Sequence, residues 1–134
     1  MSNIITNMTW EQFDYACQEI AKQVPKTITD VYGIPRGGLI VAIRLSYLLN
    51  KPLILNVNEI SQYTLAIDDI SDTGKTLQQL REVCARADLE NTGTSHFTIA
   101  TLVYHKQSKV IPDIWVYEKG DKYVNFPWEK RLEK

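Results

Sequence analysis

The sequence has 134 residues, a formal net charge of -1, 44% hydrophobic residues and 23% charged residues. This length suits one hydrophobic core, so we expect a single domain over residues 1–134. The near-neutral charge argues against nucleic acid as a partner. Because there is no apolar stretch near ~18 residues and no signal segment, we expect no membrane partner and a cytoplasmic location.

Helices and strands alternate along most of the chain. The first predicted helix, TWEQFDYACQEIAKQV, has Thr9 as its N-cap and Gln12 at the reciprocal capping-box position. The strand TDVYGI then leads through PRGGL into the helix LIVAIRLSYLLN, and the strands PLILNV and YTLAID follow. The helix TLQQLREVCARA comes next, then the strands HFTIATLVY and DIWVY and the aromatic tail KYVNFPWE.

This order predicts an α/β fold with a central, mostly parallel sheet flanked by helices. Ligands of such sheets bind beyond the carboxyl ends of the strands. Two unusual loops fall there, PRGG after the first predicted strand and DDISDTGKT after the third. Cys17 and Cys84 lie in helical patterns outside any CxxC motif, so we expect both to be small buried residues.

The loop DDISDTGKT does not fit two familiar ion or phosphate motifs. A nucleoside-triphosphatase loop would need glycine where Asp69 stands, and a calcium loop starting there would need glutamate at Leu80. Acids that merely complement a helix N-terminus are an alternative, but they do not explain two adjacent acids at the end of a buried strand.

The same loop suits a ligand that has a phosphate at one end and a diol at the other. Gly74 allows a tight turn, so that backbone N–H groups and the Thr73 and Thr76 hydroxyls can converge on a phosphate at the helix start. The carboxylates of Asp68 and Asp69 are good acceptors for sugar hydroxyls and good ligands for Mg²⁺. Together these preferences predict a ribose 5-phosphate.

The pattern of a hydrophobic strand, Asp-Asp, two residues and Asp-Thr-Gly-x-Thr resembles the phosphoribosyl pyrophosphate motif of the type I phosphoribosyltransferases. The resemblance implies their fold, with a small hood formed by the N-terminal helix and the C-terminal segment. It implies that Asp68 and Asp69 hold the ribose hydroxyls, and that Asp69 also bears on Mg²⁺. The phosphoribosyl-binding residues would be Asp68, Asp69, Asp72, Thr73, Gly74, Lys75 and Thr76, with Lys75 adding only general positive charge. Asp72 would also be the catalytic residue, handling a proton of the base.

The segment GIPRGGLI resembles the pyrophosphate loop of the 6-oxopurine members of this family. Arg36 and Gly37 would bind pyrophosphate, through a guanidinium and an unencumbered backbone at a helix start. Loops of this kind often contain a non-proline cis peptide beside this position. A plain strand-to-helix turn is the alternative.

The C-terminal third resembles the xanthine-guanine type of enzyme and predicts the base site. Lys106 would donate to an exocyclic carbonyl oxygen, Tyr123 would stack on a purine and the backbone of Val124 would bond the base edge. Glu129 would lie near the metal and pyrophosphate. The alternative for Tyr123 is a core residue or a dimer contact, and the alternative for Lys106 is an ordinary solvated lysine. His96 and His105 show no partner pattern, so we expect both to be structural or surface residues.

One piece of the family pattern is missing. Relatives carry a long mobile loop that closes over the reacting centre, whereas NVNEISQY alone separates PLIL from TLAID. We therefore expect a Mg²⁺-dependent purine phosphoribosyltransferase that takes 5-phosphoribosyl 1-pyrophosphate and a purine base. The alternatives are a sensor of phosphoribosyl pyrophosphate or nucleotides with little activity, and a pyrimidine-type enzyme. The resemblance also implies a homo-oligomer, either a dimer or a tetramer.

Overall fold

A parallel sheet organises the computed structural model, which describes residues 3–89 and 96–129. Within these residues the sheet has six strands: β1 (Ile4–Ile5), β2 (Asp30–Gly33), β3 (Leu53–Ile54), β4 (Thr64–Ser71), β5 (Thr98–Tyr104) and β6 (Ile114–Lys119). Their order is β1-β6-β5-β4-β2-β3, and every neighbouring pair is parallel. The predicted fold class is confirmed, and all the carboxyl ends of these strands lie at one edge.

Three α-helices connect these strands: α1 (Trp10–Gln23), α2 (Gly37–Leu49) and α3 (Lys75–Leu89). The predicted capping box starts α1. Thr9 Oγ1 accepts from the backbone N–H of Gln12 at 3.1 Å, and Gln12 Oε1 accepts from the backbone N–H of Thr9 at 2.9 Å. Helix α2 ends at Leu49, and its C-cap residue Asn50 adopts the left-handed conformation with φ of 52°. Among the described helices, none combines the length and the apolar character needed to cross a membrane.

The helices cover both faces of the sheet. Helices α1 and α2 pack on one face, where the buried core includes Ile20, Val41, Leu45, Leu65 and Leu102. Helix α3 packs on the other face, over a smaller cluster that includes Ala66, Leu77, Cys84 and Ile99. Cys17 and Cys84 are both buried, as predicted. A sheet covered in this way explains why β4 and β5 are apolar at successive positions rather than at alternate ones.

The structure corrects the boundaries of two predicted strands and adds one strand that was not predicted. The segment PLILNV forms only the two-residue strand β3. Strand β4 runs through Asp68 and Asp69 to Ser71, so these acids belong to the strand and not to the loop after it. Strand β1, which the sequence did not predict, pairs with the end of β6 through Ile4–Glu118 and Ile5–Lys119. Two residues are too short for a periodic pattern to be recognised.

The hood expected from the N-terminal helix and the C-terminal segment is present. Met8 donates its N–H to the carbonyl of Asn125 at 2.9 Å, which ties the start of α1 to the tail. The Trp128 ring contacts Trp10 and Phe13 of α1, with ring centroids 6.0 Å and 5.6 Å apart. Aromatic packing therefore holds Trp128 at the carboxyl ends of the strands, close to the loops PRGG and DDISDTGKT.

The short connection between β3 and β4 turns away from that edge. It contains a 3₁₀ helix, Val57–Glu59, and the buried side chain of Ile60. Ile60 belongs to the apolar cluster under α3, and the 3₁₀ helix contacts α3. The connection therefore serves as packing for α3, in agreement with the expected absence of a long loop.

Candidate functional site

A cavity of about 660 Å³ lies at the carboxyl ends of β2 and β4. Residues 34–37, residues 68–77 and the pair Trp128 and Glu129 provide most of its lining. The two loops singled out in the sequence thus face each other across one space. Residues 55–63, in the shortened connection, are absent from the lining that the structure describes.

Asp68 and Asp69 present two adjacent carboxyl groups to this cavity from the end of β4. Asp68 is buried, and its Oδ1 accepts the N–H of Asp69 at 2.9 Å. The Oδ1 of Asp69 accepts the N–H of Ile70 at 2.8 Å. Burial, followed by the charge of Asp69, raises the pKa of Asp68 to about 8. Burial also raises the pKa of Asp69, and the charge of Glu129 raises it further. The pair therefore favours a ligand that supplies positive charge or hydroxyl donors.

The turn between β4 and α3 has the tight geometry predicted for Gly74. Its φ is +85°, and a β-carbon there would come within 2.7 Å of Ser108 Oγ and of the Val110 N–H nitrogen. Lys109 donates its N–H to the Thr73 carbonyl at 2.9 Å, so the segment after β5 supports the turn from behind. Glycine is therefore required both by conformation and by space. Helix α3 begins at Lys75, and its first turn lines the cavity.

The opposite wall is the turn between β2 and α2. The Pro35–Arg36 peptide is cis, as the resemblance implied. Arg36 is exposed at the helix start and lines the cavity. A β-carbon at Gly37 would collide with the Oδ2 and Cγ atoms of Asp69. Gly37 therefore allows the α2 backbone to approach the strand-end carboxylate closely.

Asp72 is held by two residues that sequence reasoning did not assign to the site. Lys119 Nζ lies 3.0 Å from both carboxylate oxygens of Asp72, and His105 Nδ1 lies 3.0 Å from Oδ1. The Asp72 side chain lines the cavity and keeps 41% exposure, whereas the Lys119 and His105 side chains keep 15% and 18%. His105, expected to be a structural or surface residue, is partly buried and contacts Asp72, a partner that its sequence pattern did not indicate. Lys119 is the last residue of β6 and His105 directly follows β5. Both therefore stand at the carboxyl ends of strands, where ligands of parallel sheets bind, and this position could have marked them as candidate site residues.

Of the predicted base-site and metal residues, Glu129 lines the cavity directly. Its Oε1 accepts the N–H of Phe126 at 3.0 Å, and its Oε2 accepts the Tyr123 hydroxyl at 3.1 Å. Tyr123 is 66% exposed, so its ring is not a core residue. The Val124 side chain is buried in the main core, and Lys106 is exposed. Tyr123, Val124 and Lys106 lie outside the described lining, and their roles with the base stay predictions.

Two carboxylates could contribute to a magnesium site. Asp69 and Glu129 line the same cavity, and the charge of one affects the pKa of the other. Within the described residues, no group of three His, Cys, Asp or Glu side chains is arranged to hold a metal ion.

The chain is similar in sequence and in structure to proteins named as purine phosphoribosyltransferases. No family model matches the chain. It is 24% identical over 151 residues to a xanthine-guanine phosphoribosyltransferase of Idiomarina loihiensis, a match that covers 93% of this chain and 87% of that protein. The structure matches a purine phosphoribosyltransferase from Pyrococcus horikoshii with a TM-score of 0.78 and 29% identity, over 96% and 98% of the two chains. It also matches a xanthine-guanine-hypoxanthine phosphoribosyltransferase of Helicobacter pylori with a TM-score of 0.74 and 21% identity, over 92% of each chain.

Proposed function

Because the chain belongs to the type I phosphoribosyltransferase family, we propose that it is a purine phosphoribosyltransferase of nucleotide salvage. It would join guanine, xanthine or hypoxanthine to 5-phosphoribosyl 1-pyrophosphate, giving a nucleoside monophosphate and pyrophosphate. The observation that carries the proposal is the single cavity in which two strand-end carboxylates, a helix start and the Gly37 turn meet. One ligand with a diol, a phosphate and a pyrophosphate would satisfy all these groups.

The two loops divide this ligand between them. Asp68 and Asp69 would accept hydrogen bonds from the ribose hydroxyls, because a carboxylate offers acceptors only. The turn around Gly74 and the first turn of α3 would bind the 5′-phosphate through backbone N–H groups and the hydroxyls of Thr73 and Thr76. Arg36 and the Gly37 backbone would bind pyrophosphate, because a guanidinium pairs with two phosphate oxygens at once.

The reaction exchanges one bond at C1 of the ribose for another. The lone pair on N9 of the base attacks C1 as the C1–O bond breaks, and the bonding electrons leave with the pyrophosphate oxygen. The proton on N7 of the base then passes to Asp72, which restores the neutral purine. Lys119 and His105 hold the Asp72 carboxylate in place for this step.

We also propose Mg²⁺ as the cofactor. Mg²⁺ prefers oxygen ligands and is usually bound by one or two carboxylates together with substrate phosphates. Asp69 and Glu129 fit this donor set, because both line the cavity and their charges influence each other. When bound, the ion would neutralise charge on the departing pyrophosphate. A cytoplasmic location and a dimeric or tetrameric assembly remain predictions, the latter to be checked by light scattering.

The shortened connection between β3 and β4 is the observation that favoured the rival function, a phosphoribosyl pyrophosphate or nucleotide sensor. The similar proteins of Idiomarina loihiensis and Pyrococcus horikoshii are named as phosphoribosyltransferases, and Asp72, which would take the proton of the base, lines the cavity. The test is to incubate the protein with phosphoribosyl pyrophosphate, Mg²⁺ and each 6-oxopurine, and to follow nucleotide by absorbance. Turnover supports the enzyme, and it should stop when a chelator removes Mg²⁺. Tight binding of phosphoribosyl pyrophosphate without turnover of any base would reject the enzyme and favour the sensor.

A further inference from the structure

The turn that would bind the 5′-phosphate is held from outside the cavity by one short segment. This segment, residues 105–110, follows β5, and none of its residues belongs to the described lining of the cavity. His105 donates its backbone N–H to the Ser71 carbonyl at 2.9 Å, and Lys109 donates its own to the Thr73 carbonyl at 2.9 Å. The segment therefore fixes the backbone of the turn at two points.

These two bonds set the direction of the backbone N–H groups that follow. In a trans peptide the carbonyl of one residue and the N–H of the next point in opposite directions. Because the Ser71 carbonyl faces the segment, the Asp72 N–H points away from it. The Thr73 carbonyl directs the Gly74 N–H in the same way. Since Asp72 and Gly74 both line the cavity, the segment turns two backbone donors to the side on which a phosphate would bind.

Ser108 joins this segment to the end of β4 through hydroxyl groups. Its Oγ lies 2.7 Å from the Ser71 Oγ, and the Val110 carbonyl lies 2.9 Å from the first hydroxyl and 2.8 Å from the second. The Val110 N–H donates to Ser108 Oγ at 3.2 Å. Ser71 is only 1% exposed, so its hydroxyl depends on these protein partners and not on solvent. A β-carbon on Gly74 would come within 2.7 Å of Ser108 Oγ, so this hydroxyl also lies against the turn.

On the basis of the proposed function, we propose that Ser108 is a positioning residue for the 5′-phosphate of phosphoribosyl pyrophosphate. It lies outside the described lining and acts through Ser71 and the turn. Loss of its hydroxyl removes a partner of the buried Ser71 hydroxyl and lets the segment shift, so the Asp72 and Gly74 N–H groups lose their aim at the phosphate. The opposite wall of the cavity, around Arg36, does not depend on this contact.

The test measures the binding of two probes to the full chain by calorimetric titration in the presence of Mg²⁺. Ribose 5-phosphate reports on the phosphate turn, and pyrophosphate reports on the wall around Arg36. We expect Ser108→Ala to weaken ribose 5-phosphate binding roughly 3- to 10-fold and to change pyrophosphate binding by less than about twofold. Ser108→Thr keeps the hydroxyl and should bind both probes as the wild type does. The control is Ser61→Ala, which removes a serine hydroxyl from the connection between β3 and β4 and should change neither affinity.

A double variant separates positioning from a general loss of stability. Ser71→Ala should weaken ribose 5-phosphate binding about as much as Ser108→Ala does, because the two hydroxyls act through one contact. The double variant should then lose little more affinity than either single variant. Urea unfolding measures the accompanying loss of stability, and every variant that is fully folded at the titration temperature still reports on binding.

Four results would overturn the proposal. The first is an unchanged affinity of Ser108→Ala for ribose 5-phosphate. The second is an equal loss of affinity for ribose 5-phosphate and for pyrophosphate, because a hydroxyl that supports only the fold would behave that way. The third is a loss in Ser108→Thr as large as that in Ser108→Ala. The fourth is a double variant in which the two losses simply add.

These titrations keep the inference distinct from the proposed function, because they need neither base nor turnover. If the wild-type chain binds ribose 5-phosphate but turns over no base, the proposed function fails. The comparison of Ser108→Ala with the wild type then still decides the role of Ser108. A wild-type chain that does not bind ribose 5-phosphate overturns the inference, and the turnover assay decides the function by itself.

Discussion

Gly37 and Asp69 are in such close contact that a β-carbon on the glycine would collide with the carboxylate Oδ2. The contact joins the start of α2 to the end of β4, and both residues line the cavity. The carboxylate that would bear on the ribose and the metal is held at the place where the pyrophosphate would bind.

The Gly37→Ala substitution should therefore damage both stability and substrate binding. We expect a loss of about 1–3 kcal/mol in the free energy of unfolding, because the methyl group must displace Asp69 or α2. The affinity for phosphoribosyl pyrophosphate should fall by roughly tenfold or more. The control is Gly37→Ala in an Asp69→Ala background, where urea unfolding should show most of the stability cost removed. Equal costs in the two backgrounds would disprove the contact.

The stability of the ligand-free protein should depend on pH through Asp68. Because the folded-state pKa is raised to about 8, the folded state binds more protons than the unfolded state between pH 4 and 8. The free energy of unfolding should therefore fall as the pH rises from 5 to 8, by on the order of a few kcal/mol. Urea titrations in the presence of a chelator measure this slope.

Asp68→Asn provides the matched control for that slope, since the amide does not ionise. Its stability should vary much less between pH 5 and 8, and at pH 8 it should exceed that of the wild type. A wild-type stability that rises across this range would contradict the assignment.

The Asp72→Asn substitution should slow transfer without weakening the binding of phosphoribosyl pyrophosphate. The amide cannot take the N7 proton, so we expect kcat to fall by about 10²- to 10⁴-fold. Asp121→Asn, which changes an exposed acid in the tail, is the control and should behave as the wild type does. An unchanged kcat in Asp72→Asn would reject Asp72 as the proton acceptor.

Tyr123 allows stacking on the base to be separated from its hydrogen bond to Glu129. Tyr123→Ala should raise the KM for the base severalfold and leave the melting temperature nearly unchanged, because the ring is 66% exposed. Tyr123→Phe keeps the ring and loses the 3.1 Å hydrogen bond, so it should retain the wild-type KM. Equal effects of the two substitutions would assign the role to the hydroxyl. A large drop in melting temperature with Tyr123→Ala would show that the ring is needed for packing.

The shortened connection between β3 and β4 should leave the reacting centre accessible to water. Ile60 anchors this connection under α3, and residues 55–63 do not line the described cavity. We expect the protein to release pyrophosphate from phosphoribosyl pyrophosphate slowly in the absence of base, since water can replace the base as the nucleophile. A coupled pyrophosphate assay measures this rate, with Asp69→Ala as the background control. Release that strictly requires a base would show that the site is closed in another way.

The fold and the two loops that line the cavity could be predicted from sequence because the patterns that indicate them are local. The strand–loop–helix pattern around Gly74 combines a buried strand, a turn residue and a helix start within a few positions, and the capping box at Thr9 is equally local. The cis Pro35–Arg36 peptide was implied only by resemblance. Strand β1 was missed because two residues have no recognisable period, and its partner lies more than a hundred positions away.

The residues around Asp72 were missed for a related reason. The Lys119–Asp72 and His105–Asp72 pairs join positions 47 and 33 residues apart, and only the strand order places them together. A lysine at the end of β6 and a histidine just after β5 look like ordinary surface residues until both strands are aligned with β4. Lys106 had the more familiar sequence context, yet the structure leaves its side chain exposed.

The pairing of β1 with β6 also constrains the order in which the chain can fold during synthesis. The partners of Ile4 and Ile5 are Glu118 and Lys119, and Met8 bonds to Asn125. Strand β1 must therefore wait without its β6 partner until more than a hundred further residues have been made. The ammonium that holds Asp72 arrives in the same late step. Asp72 is thus made well before the lysine that orients it, whereas Gly74 and the start of α3 follow Asp72 directly.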